Sequence, residues 1–198
     1  FSVSRDILSQ VTETENPQGV AAVARQKKFS LCDLAETSNS ELLMVVDGVQ
    51  DPGNLGTIIR TADAAGACGI IMTAATVDLY NSKTVRSSMG SLFRVKTATG
   101  LSPSEAVEWL LSNGYKIIVG HVGADRYYHH LDYSGKIAIV VGNENSGPCS
   151  HFREAGYSVK IPCRTESLNV SIASAILLYE KVKKGHVLDE SELPEQGL

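Results

Sequence analysis

Short apolar runs alternate with amphipathic stretches along most of the chain. Runs of strand length are predicted to form β-strands at residues 42–47, 69–72, 93–97, 115–120, 136–142 and 157–162. Several of them are continuously apolar, which is typical of a strand covered on both faces. Helical periodicity is found at residues 55–65, 82–89, 103–113 and 169–184. This alternation predicts an α/β domain with a mostly parallel sheet and helices on both faces.

Residues 1–40 have a different character. Residues 4–11 are predicted to form a short helix, residues 19–24 a strand, and residues 25–40 a polar linker. The long apolar runs begin only after Glu41, so we expect a domain boundary between residues 40 and 41. The chain begins at Phe1 rather than Met, and we expect it to be the end of a longer chain.

The composition favours a globular protein outside the membrane. Of the 198 residues, 43% are hydrophobic and 20% are charged, which excludes the intrinsically disordered class. No apolar run approaches the roughly 20 residues that a membrane-spanning helix needs. The formal net charge is −4, whereas proteins that bind nucleic acid over most of their surface are usually basic. A nucleic-acid partner would therefore require a local basic surface, or one supplied by another part of the protein.

Three loops follow predicted strands at the edge where parallel sheets bind ligands. The first contains Asn54, which can cap the next helix, and Arg60, which is either a surface arginine or a buried guanidinium needing an anionic partner. The second, residues 142–148, has neither the Walker nor the GxGxxG spacing, and it suits a ligand without strong negative charge. The third, residues 161–171, offers hydroxyl and amide groups, and it is equally consistent with a plain strand-to-helix connection.

Taken together, the three loops resemble a known family. The segments NLGTIIRTADAAG, IVVGNENSGP and IPCRTESLNVSIASAILLYE are similar to the three motifs of the SpoU (TrmH-type) RNA 2′-O-ribose methyltransferases of the SPOUT superfamily. The resemblance spans residues 42–184 and implies an α/β fold with a C-terminal trefoil knot. It also implies that residues 41–198 form the catalytic domain, and that residues 1–40 are the end of an L30e-like RNA-binding domain and its linker.

The resemblance implies S-adenosylmethionine as the cofactor, together with a set of site residues. By motif, the cofactor contacts fall on Gly142, Ile161 and Leu168, and the catalytic group consists of Arg60, Asn54, Glu144, Ser167 and Asn169. Because a guanidinium keeps its proton at any ordinary pH, we expect Arg60 to stay charged, bind an RNA phosphate and stabilise the developing alkoxide. Glu144 is expected to orient Arg60 or Asn54. Asn145 stands where the family usually has glycine, and asparagine tolerates the left-handed backbone expected there.

Other polar and aromatic groups allow two interpretations each. Four cations lie close together and either contact RNA or form a solvated face: Lys83, Arg86, Arg94 and Lys96. Tyr127 and Tyr128 are expected either to pack or to contact a partner. His129, His130 and Asp132 lack further ligands at suitable spacing, so no metal site is predicted.

The resemblance implies methyl transfer from S-adenosylmethionine to a ribose 2′-hydroxyl of RNA, by a homodimer that associates through the knot region. The L30e-like junction favours ribosomal RNA of the 23S type, and transfer RNA is the alternative substrate. A second alternative is a non-catalytic RNA-binding or ribosome-assembly module that keeps the fold. A cytoplasmic location without membrane association is expected.

Overall fold

The computed structural model describes residues 1–12, 19–35 and 41–185. Its strands are β1 Leu42–Asp47, β2 Gly69–Thr73, β3 Thr97–Leu101, β4 Lys116–Gly120, β5 Arg126–Tyr127, β6 Ile137–Gly142 and β7 Tyr157–Lys160. Its α-helices are α1 Arg5–Val11, α2 Leu31–Ala35, α3 Pro52–Ala64, α4 Ser82–Ser87, α5 Pro103–Ser112, α6 Ser150–Ala155 and α7 Val170–Gly185. Short 3-10 helices lie at Ser91–Phe93 and Tyr128–His130.

The strands form one parallel sheet in the order β3-β2-β1-β6-β4-β7-β5. The central strands β1 and β6 are buried along their whole length. Side chains alternate along a strand, so Met44 packs in a core with α3 and α7, and Val45 packs in a second core with α5 and α6. Helices therefore cover both faces, and the predicted α/β fold with a mostly parallel sheet is confirmed.

The edge strand β3 lies later in the chain than the apolar pattern predicts. The predicted strand at residues 93–97 begins instead as a 3-10 turn, and β3 follows at Thr97–Leu101. Leu92 and Val95 of this segment are buried against the α3 side of the sheet, whereas Phe93 is 66% exposed. The sequence of β3 itself, TATGL, has no continuous apolar run because an edge strand is only partly covered.

Two other elements also differ from the sequence prediction. Residues 19–24 form no regular strand, and Val20 and Val23 in this segment are exposed. The helix α6 was not predicted, because its sequence SHFREA contributes a single buried apolar side chain, Phe152.

The last helix buries a face that its apolar spacing does not indicate. The helix is confirmed at Val170–Gly185, but its fully buried positions include Ser174, Leu177 and Lys181. The apolar residues whose spacing predicts the helix include Ile172 and Tyr179, which are 52% and 45% exposed, and we call these two the outward stripe of α7. On its face of the sheet, α7 packs against α3.

Lys181 is a fully buried cation that ties α7 to the start of β1. Its Nζ lies 2.8 Å from Oε2 of Glu41 and donates to the carbonyl oxygen of Gly135 at 2.8 Å. The Glu41 side chain remains 52% exposed, so one member of the pair keeps contact with water. The buried stem and the two hydrogen bonds together offset the cost of burying the ammonium group.

Lys181→Ala is expected to lower the free energy of unfolding by about 3 kcal/mol, because buried methylene groups worth about 0.8 kcal/mol each are lost together with a hydrogen bond. Lys181→Met keeps most of the apolar stem and is expected to cost about 1 kcal/mol. Chemical denaturation of both variants measures the difference. Equal losses would contradict the view that the buried stem contributes most of the stability.

Candidate active site

The connections that follow β1, β6 and β7 meet at the carboxyl edge of the sheet. The loops after β6 and β7 line a cleft of about 570 Å³, a size typical of small-molecule sites. Six of the residues predicted to bind cofactor or substrate line this cleft: Gly142, Glu144, Ile161, Ser167, Leu168 and Asn169. The loop after β4 adds a further wall, which includes His121.

Side chains from the three connections form a continuous hydrogen-bonded chain, which we call the amide chain (Glu144, Asn54, Asn169 and Ser171). Asn54 donates from Nδ2 to Oε1 of Glu144 at 3.0 Å. Asn169, 115 positions further along the sequence, donates from Nδ2 to Oδ1 of Asn54 at 3.0 Å. Oδ1 of Asn169 accepts from the backbone N–H and the hydroxyl of Ser171 at 2.9 and 2.6 Å. The amide chain therefore joins the start of α3, the loop after β6 and the start of α7.

Both ends of the amide chain fix the direction of its amide groups. The backbone N–H of Ser171 can only donate, so it must face Oδ1 of Asn169. An ionised Glu144 can only accept, so it must face Nδ2 of Asn54. Each amide therefore has one orientation that satisfies all of its neighbours, and the two asparagines cannot flip independently.

The surroundings of Glu144 keep its carboxyl group ionised. Besides Asn54, the backbone N–H groups of Gln50 and Asp51 donate to it at 3.2 and 3.3 Å. Partial burial acts to raise the pKa of Glu144, but these hydrogen bonds outweigh it and hold the pKa below its ordinary value. Its partners in the structure are Asn54 and backbone amides, so Glu144 orients Asn54 and not Arg60.

Asn54→Asp is expected to make the stability of the protein strongly dependent on pH. The new carboxylate would lie at the present 3.0 Å contact with Glu144, and two carboxylates this close cannot both ionise, so the pKa of the pair is raised. Because the folded-state pKa of the pair is raised, the protonated pair stabilises the fold at pH values below the unfolded-state pKa of about 4. That stability is lost as the pH rises through the folded-state pKa. Thermal unfolding should therefore show the variant less stable than wild type near neutral pH and recovering in acid.

Asn54→Ala provides the control for this experiment, because it breaks the same hydrogen bonds without adding charge. It should be less stable than wild type near neutral pH, by a margin that narrows in acid only as far as the loss of one hydrogen bond raises the pKa of Glu144. A parallel pH response of the two variants would contradict the proposed contact between Asn54 and Glu144.

Asp51, and not Asn54, caps α3. Oδ1 of Asp51 accepts from the backbone N–H of Asn54 at 2.8 Å, and Pro52 occupies the first helical position. That hydrogen bond, together with Nζ of Lys83 at 3.0 Å, holds the pKa of Asp51 below its ordinary value. The predicted cap at Asn54 is thus wrong, and its side chain is available for the amide chain because Asp51 does the capping.

Gly142 is required by the tight closure of the loop after β6. A Cβ atom at this position would lie 2.0 Å from the backbone nitrogen of Pro148 and 2.3 Å from the carbonyl carbon of Gly147. These are backbone atoms, which cannot move aside as a flexible side chain can. A glycine at this position therefore allows the backbone of Gly147 and Pro148 to pack directly against that of Gly142.

Asn143 holds the same loop in shape, a role that the sequence did not reveal. Its Oδ1 accepts from the backbone N–H groups of Asn145 and Ser146 at 2.9 and 3.1 Å, and its Nδ2 donates to the carbonyl of Gly48 at 2.9 Å. The left-handed residue of the loop is Gly147, with φ of 70°. Asn145 does not have positive φ, so the expected left-handed backbone at Asn145 is wrong.

Arg60 lies on the solvent side of α3. It is exposed, it does not line the cleft, and within the described part of the chain it has no hydrogen-bond or ion-pair partner. Of the two alternatives for Arg60, the surface arginine is the observed one, and the buried guanidinium is wrong. Since six residues separate it from Asn54, the two positions are about 9 Å apart along the helix axis and face different directions. A single copy of the chain therefore does not bring Arg60 to the amide chain.

His121 is a residue of the cleft that sequence reasoning missed. It follows β4 and is half-buried. Burial, together with the positive charge of Arg153, holds the pKa of His121 below its ordinary value, so its imidazole is neutral at physiological pH. Its one sequence signal is its position at the carboxyl end of a strand.

The cluster of cations predicted to contact RNA is largely engaged within the fold. Three of its members have partners: Lys83 with Asp51, Arg94 with Asp63, and Lys96 with the carbonyl of Asp33. Arg86 is exposed. The interpretation as a solvated, ion-paired face is the better one for the three engaged residues.

Residues 1–12, 19–35 and 41–185 contain neither a metal-binding cluster nor a membrane-spanning helix. No group of histidine, cysteine, aspartate and glutamate side chains there could hold a metal ion. No helix in these segments combines the length and apolar character needed to span a bilayer.

The sequence matches the model of the SpoU rRNA Methylase family over residues 41–179. It is 37% identical to the Bacillus subtilis 23S rRNA (guanosine(2553)-2′-O)-methyltransferase, over 90% of this chain and 71% of that protein. It is 33% identical to the Streptomyces viridochromogenes 23S rRNA (uridine(2479)-2′-O)-methyltransferase, over 93% of this chain and 67% of that protein.

The fold matches solved structures of the same kind. A crystal structure of an AdoMet-bound rRNA methyltransferase from Sinorhizobium meliloti superimposes with a TM-score of 0.85 and 36% sequence identity. The match covers 94% of this chain and 71% of that one.

Proposed function

The chain belongs to the SpoU rRNA methylase family, and we propose that it transfers a methyl group from S-adenosylmethionine to a ribose 2′-hydroxyl of ribosomal RNA. The observation that carries this proposal is the amide chain, which joins the three motif-bearing connections next to one cleft. The names of the Bacillus and Streptomyces relatives both specify 2′-O-methylation of 23S rRNA. They support ribosomal RNA of the 23S type over transfer RNA as the substrate. A substrate in the ribosome also supports a cytoplasmic location.

The cleft suits S-adenosylmethionine in size and in chemistry. Its volume of about 570 Å³ accommodates a ligand of this class, and Ile161 and Leu168 offer apolar side chains for an adenine ring. Gly142 has no side chain to block its backbone groups, and the carboxylates of Glu144 and Glu166 complement a positively charged ligand. When bound, the cofactor supplies an electrophilic methyl group on a sulfonium centre.

The catalytic roles follow from what each side chain can reach. Ser167 and Asn169 are exposed in the cleft wall, where they can hydrogen-bond a ribose hydroxyl and hold it for in-line attack. Asn54 and Glu144 keep Asn169 in one orientation through the amide chain. Arg60 stays protonated, binds a phosphate of the RNA through both of its terminal nitrogens, and stabilises the negative charge that develops on the ribose oxygen. The hydroxyl proton leaves to solvent through the open side of the cleft.

A second copy of the chain completes the site in this proposal. Arg60 is exposed and does not line the cleft of its own chain, and its helix α3 covers the same face of the sheet as α7. Ile172 and Tyr179 of the outward stripe of α7 are about half exposed, although they are large apolar residues on a helix that packs directly against α3. A homodimer formed over α3 and α7 would bury this surface and place Arg60 at an interface between two clefts.

Ile172→Glu is expected to convert the dimer into a monomer, because two carboxylates would be buried at a symmetric apolar contact. Light scattering coupled to gel filtration measures the mass of the particle. Ile7→Glu, a matched change at an exposed isoleucine of α1, should leave the mass unchanged. A wild-type chain that is monomeric at high concentration would contradict the proposed association.

We also propose that the C-terminal segment forms a trefoil knot. Its support is the path of the chain: α6 lies on one face of the sheet, β7 is inserted beyond β4, and α7 then packs on the opposite face against α3 and β6. The AdoMet-bound methyltransferase that superimposes on this chain, with a TM-score of 0.85 over 94% of the chain, supports the same path.

For residues 1–40 we propose a junction with an L30e-like RNA-binding domain. Residues 1–12 and 19–35 of this segment expose several large apolar side chains, namely Ile7, Val11, Val20 and Val23. A neighbouring domain would cover them, and would supply the positive charge that a chain of net charge −4 lacks.

The proposed activity is tested by incubating the chain with unmodified 23S rRNA and S-adenosylmethionine, followed by nucleoside mass spectrometry. The expected product is one 2′-O-methylated nucleoside at a single position. Methylation of transfer RNA alone would identify the alternative substrate. Binding of the RNA without any transfer would indicate a non-catalytic module.

A further inference from the structure

Four consecutive ring-bearing residues form a cluster on the surface beyond β5. The rings of Tyr127 and His129 are nearly parallel, with their centroids 5.8 Å apart. His130 meets both of these rings edge-on, at 5.8 Å and 4.3 Å. Tyr128 meets His129 edge-on at 5.1 Å and is itself anchored against the main core. Tyr127, His129 and His130 are exposed, although none of them serves the core or the amide chain.

This cluster adjoins the cleft. β5 is the outermost strand of the sheet, and it pairs with the carboxyl end of β7, where Tyr127 lies opposite Lys160. Nζ of Lys160 sits 5.2 Å from the centre of the Tyr127 ring, and Lys160 also lines the cleft. The aromatic surface and the cleft therefore share a residue and form one continuous face at the edge of the sheet.

The charges around the rings are mainly positive. Arg126 is exposed next to Tyr127, and Nζ of Lys184 donates to the carbonyl of His129 at 3.0 Å. Two acidic residues lie nearby in the chain, Asp125 and Asp132. Asp132 is already engaged by Nζ of Lys116 at 3.0 Å and by Ser134, and Lys184 is likewise paired with Glu180 at 2.9 Å. Arg126 and Lys160 are thus the cations that remain available beside the rings within the described chain.

We propose that this aromatic patch (Arg126, Tyr127, His129, His130 and Lys160) binds unpaired nucleotides of the RNA substrate next to the methylated ribose. Exposed rings stack on single bases, whose faces are hidden in a duplex, and the neighbouring cations, Arg126 beside Tyr127 and Lys160 over its ring, bind the adjoining phosphates. The proposal rests on the proposed function for its choice of RNA as the occupant. It explains why a chain with net negative charge keeps aromatic and basic residues together at the rim of its cleft.

The test compares the affinity of two RNA probes for the wild-type chain and for the double variant Tyr127→Leu, His129→Leu. One probe is a single-stranded RNA of about twenty nucleotides of mixed sequence, and the other is the same sequence as a perfect duplex. The double variant is expected to bind the single strand about tenfold more weakly, because base stacking is lost. Its affinity for the duplex and for S-adenosylmethionine should not change.

Tyr157→Leu is the matched control, because Tyr157 is 52% exposed at the opposite end of β7. It should bind both probes like wild type. In addition, a single strand that carries 5-iodouridine should crosslink to Tyr127 in wild type on irradiation.

Unchanged single-strand affinity in the double variant would overturn the proposal and would point to a protein surface as the occupant. An equal loss for single strand and duplex would also overturn it, because stacking would not be the cause. Failure of wild type to methylate 23S rRNA while the stacking loss persists would reject the proposed function and leave the aromatic patch standing. Normal methylation by wild type, together with unchanged single-strand affinity in the double variant, would support the proposed function and reject the aromatic patch.

Discussion

Arg60→Ala is expected to lower kcat by about 10²–10³-fold, since it removes a charged donor that acts on the developing alkoxide. The affinity for S-adenosylmethionine should not change, because Arg60 lies outside the cleft of its own chain. The two quantities are separated by measuring single-turnover methyl transfer and cofactor binding on the same preparation. A parallel fall in both would show that the substitution disturbs folding or dimer assembly, and that Arg60 has no direct role in the transfer.

Arg60→Lys distinguishes a paired contact from a simple positive charge. A lysine keeps the charge but cannot make two parallel hydrogen bonds to one phosphate, so the rate should still fall by about tenfold or more. Arg5→Lys, at an exposed arginine of α1, is the matched control and should turn over like wild type. A near-normal rate for Arg60→Lys together with intact RNA binding would reject the paired phosphate contact.

Gly142→Ala is expected to weaken S-adenosylmethionine binding by about tenfold or more. The new Cβ would meet backbone atoms of Gly147 and Pro148 at 2.0–2.4 Å, so the loop after β6 must move away from the cleft it lines. Overpacking of this kind typically costs about 1–3 kcal/mol. Much of that cost falls on the bound state, because the displaced loop carries Glu144 and its link to Asn54. Isothermal titration calorimetry measures the change in affinity.

Gly114→Ala controls for a general loss of stability. Gly114 has φ of 77° and open space around its Cβ position, so alanine there costs about 1–2 kcal/mol through backbone strain alone. It lies after α5, away from the cleft, and its cofactor affinity should equal that of wild type. Equal affinities for Gly142→Ala and wild type would show that the loop after β6 does not form the binding site.

The sequence predicts the central part of this fold well because burial on both faces leaves a clear pattern. β1 and β6 are continuous apolar runs, and both are found within one residue of their predicted bounds. The edge strands leave no such pattern. The sequence predicts β3 at residues 93–97, four residues before its observed start, because its sequence TATGL has no apolar run. The strand β5 consists of two exposed residues, so the sequence does not predict it. Local periodicity reports on burial, so it fails where a strand is covered on one side only.

The candidate site shows the same division between local and long-range information. Motif resemblance selected Asn54, Glu144 and Asn169, and the structure joins them through two hydrogen bonds of 3.0 Å. The role of Asn54 within that set could not be predicted, because local spacing favoured it as a cap and only the tertiary contact with Glu144 shows otherwise.

The outward position of Arg60 was equally hidden in the sequence. An arginine among apolar residues suggests burial, whereas α3 turns that residue toward solvent. The apolar spacing in α7 predicts a helix correctly, but it does not tell whether the stripe faces the core of this chain or another copy.

The most direct measurement is a crystal structure of the chain with S-adenosylhomocysteine. The sulfur atom is expected in the cleft between Gly142, Ile161 and Leu168, with Asn169 still hydrogen-bonded to Asn54, and with Arg60 from one copy directed toward a cleft of the dimer. Ligand density outside this cleft, or a dimer that leaves Arg60 remote from both sulfur atoms, would contradict the account.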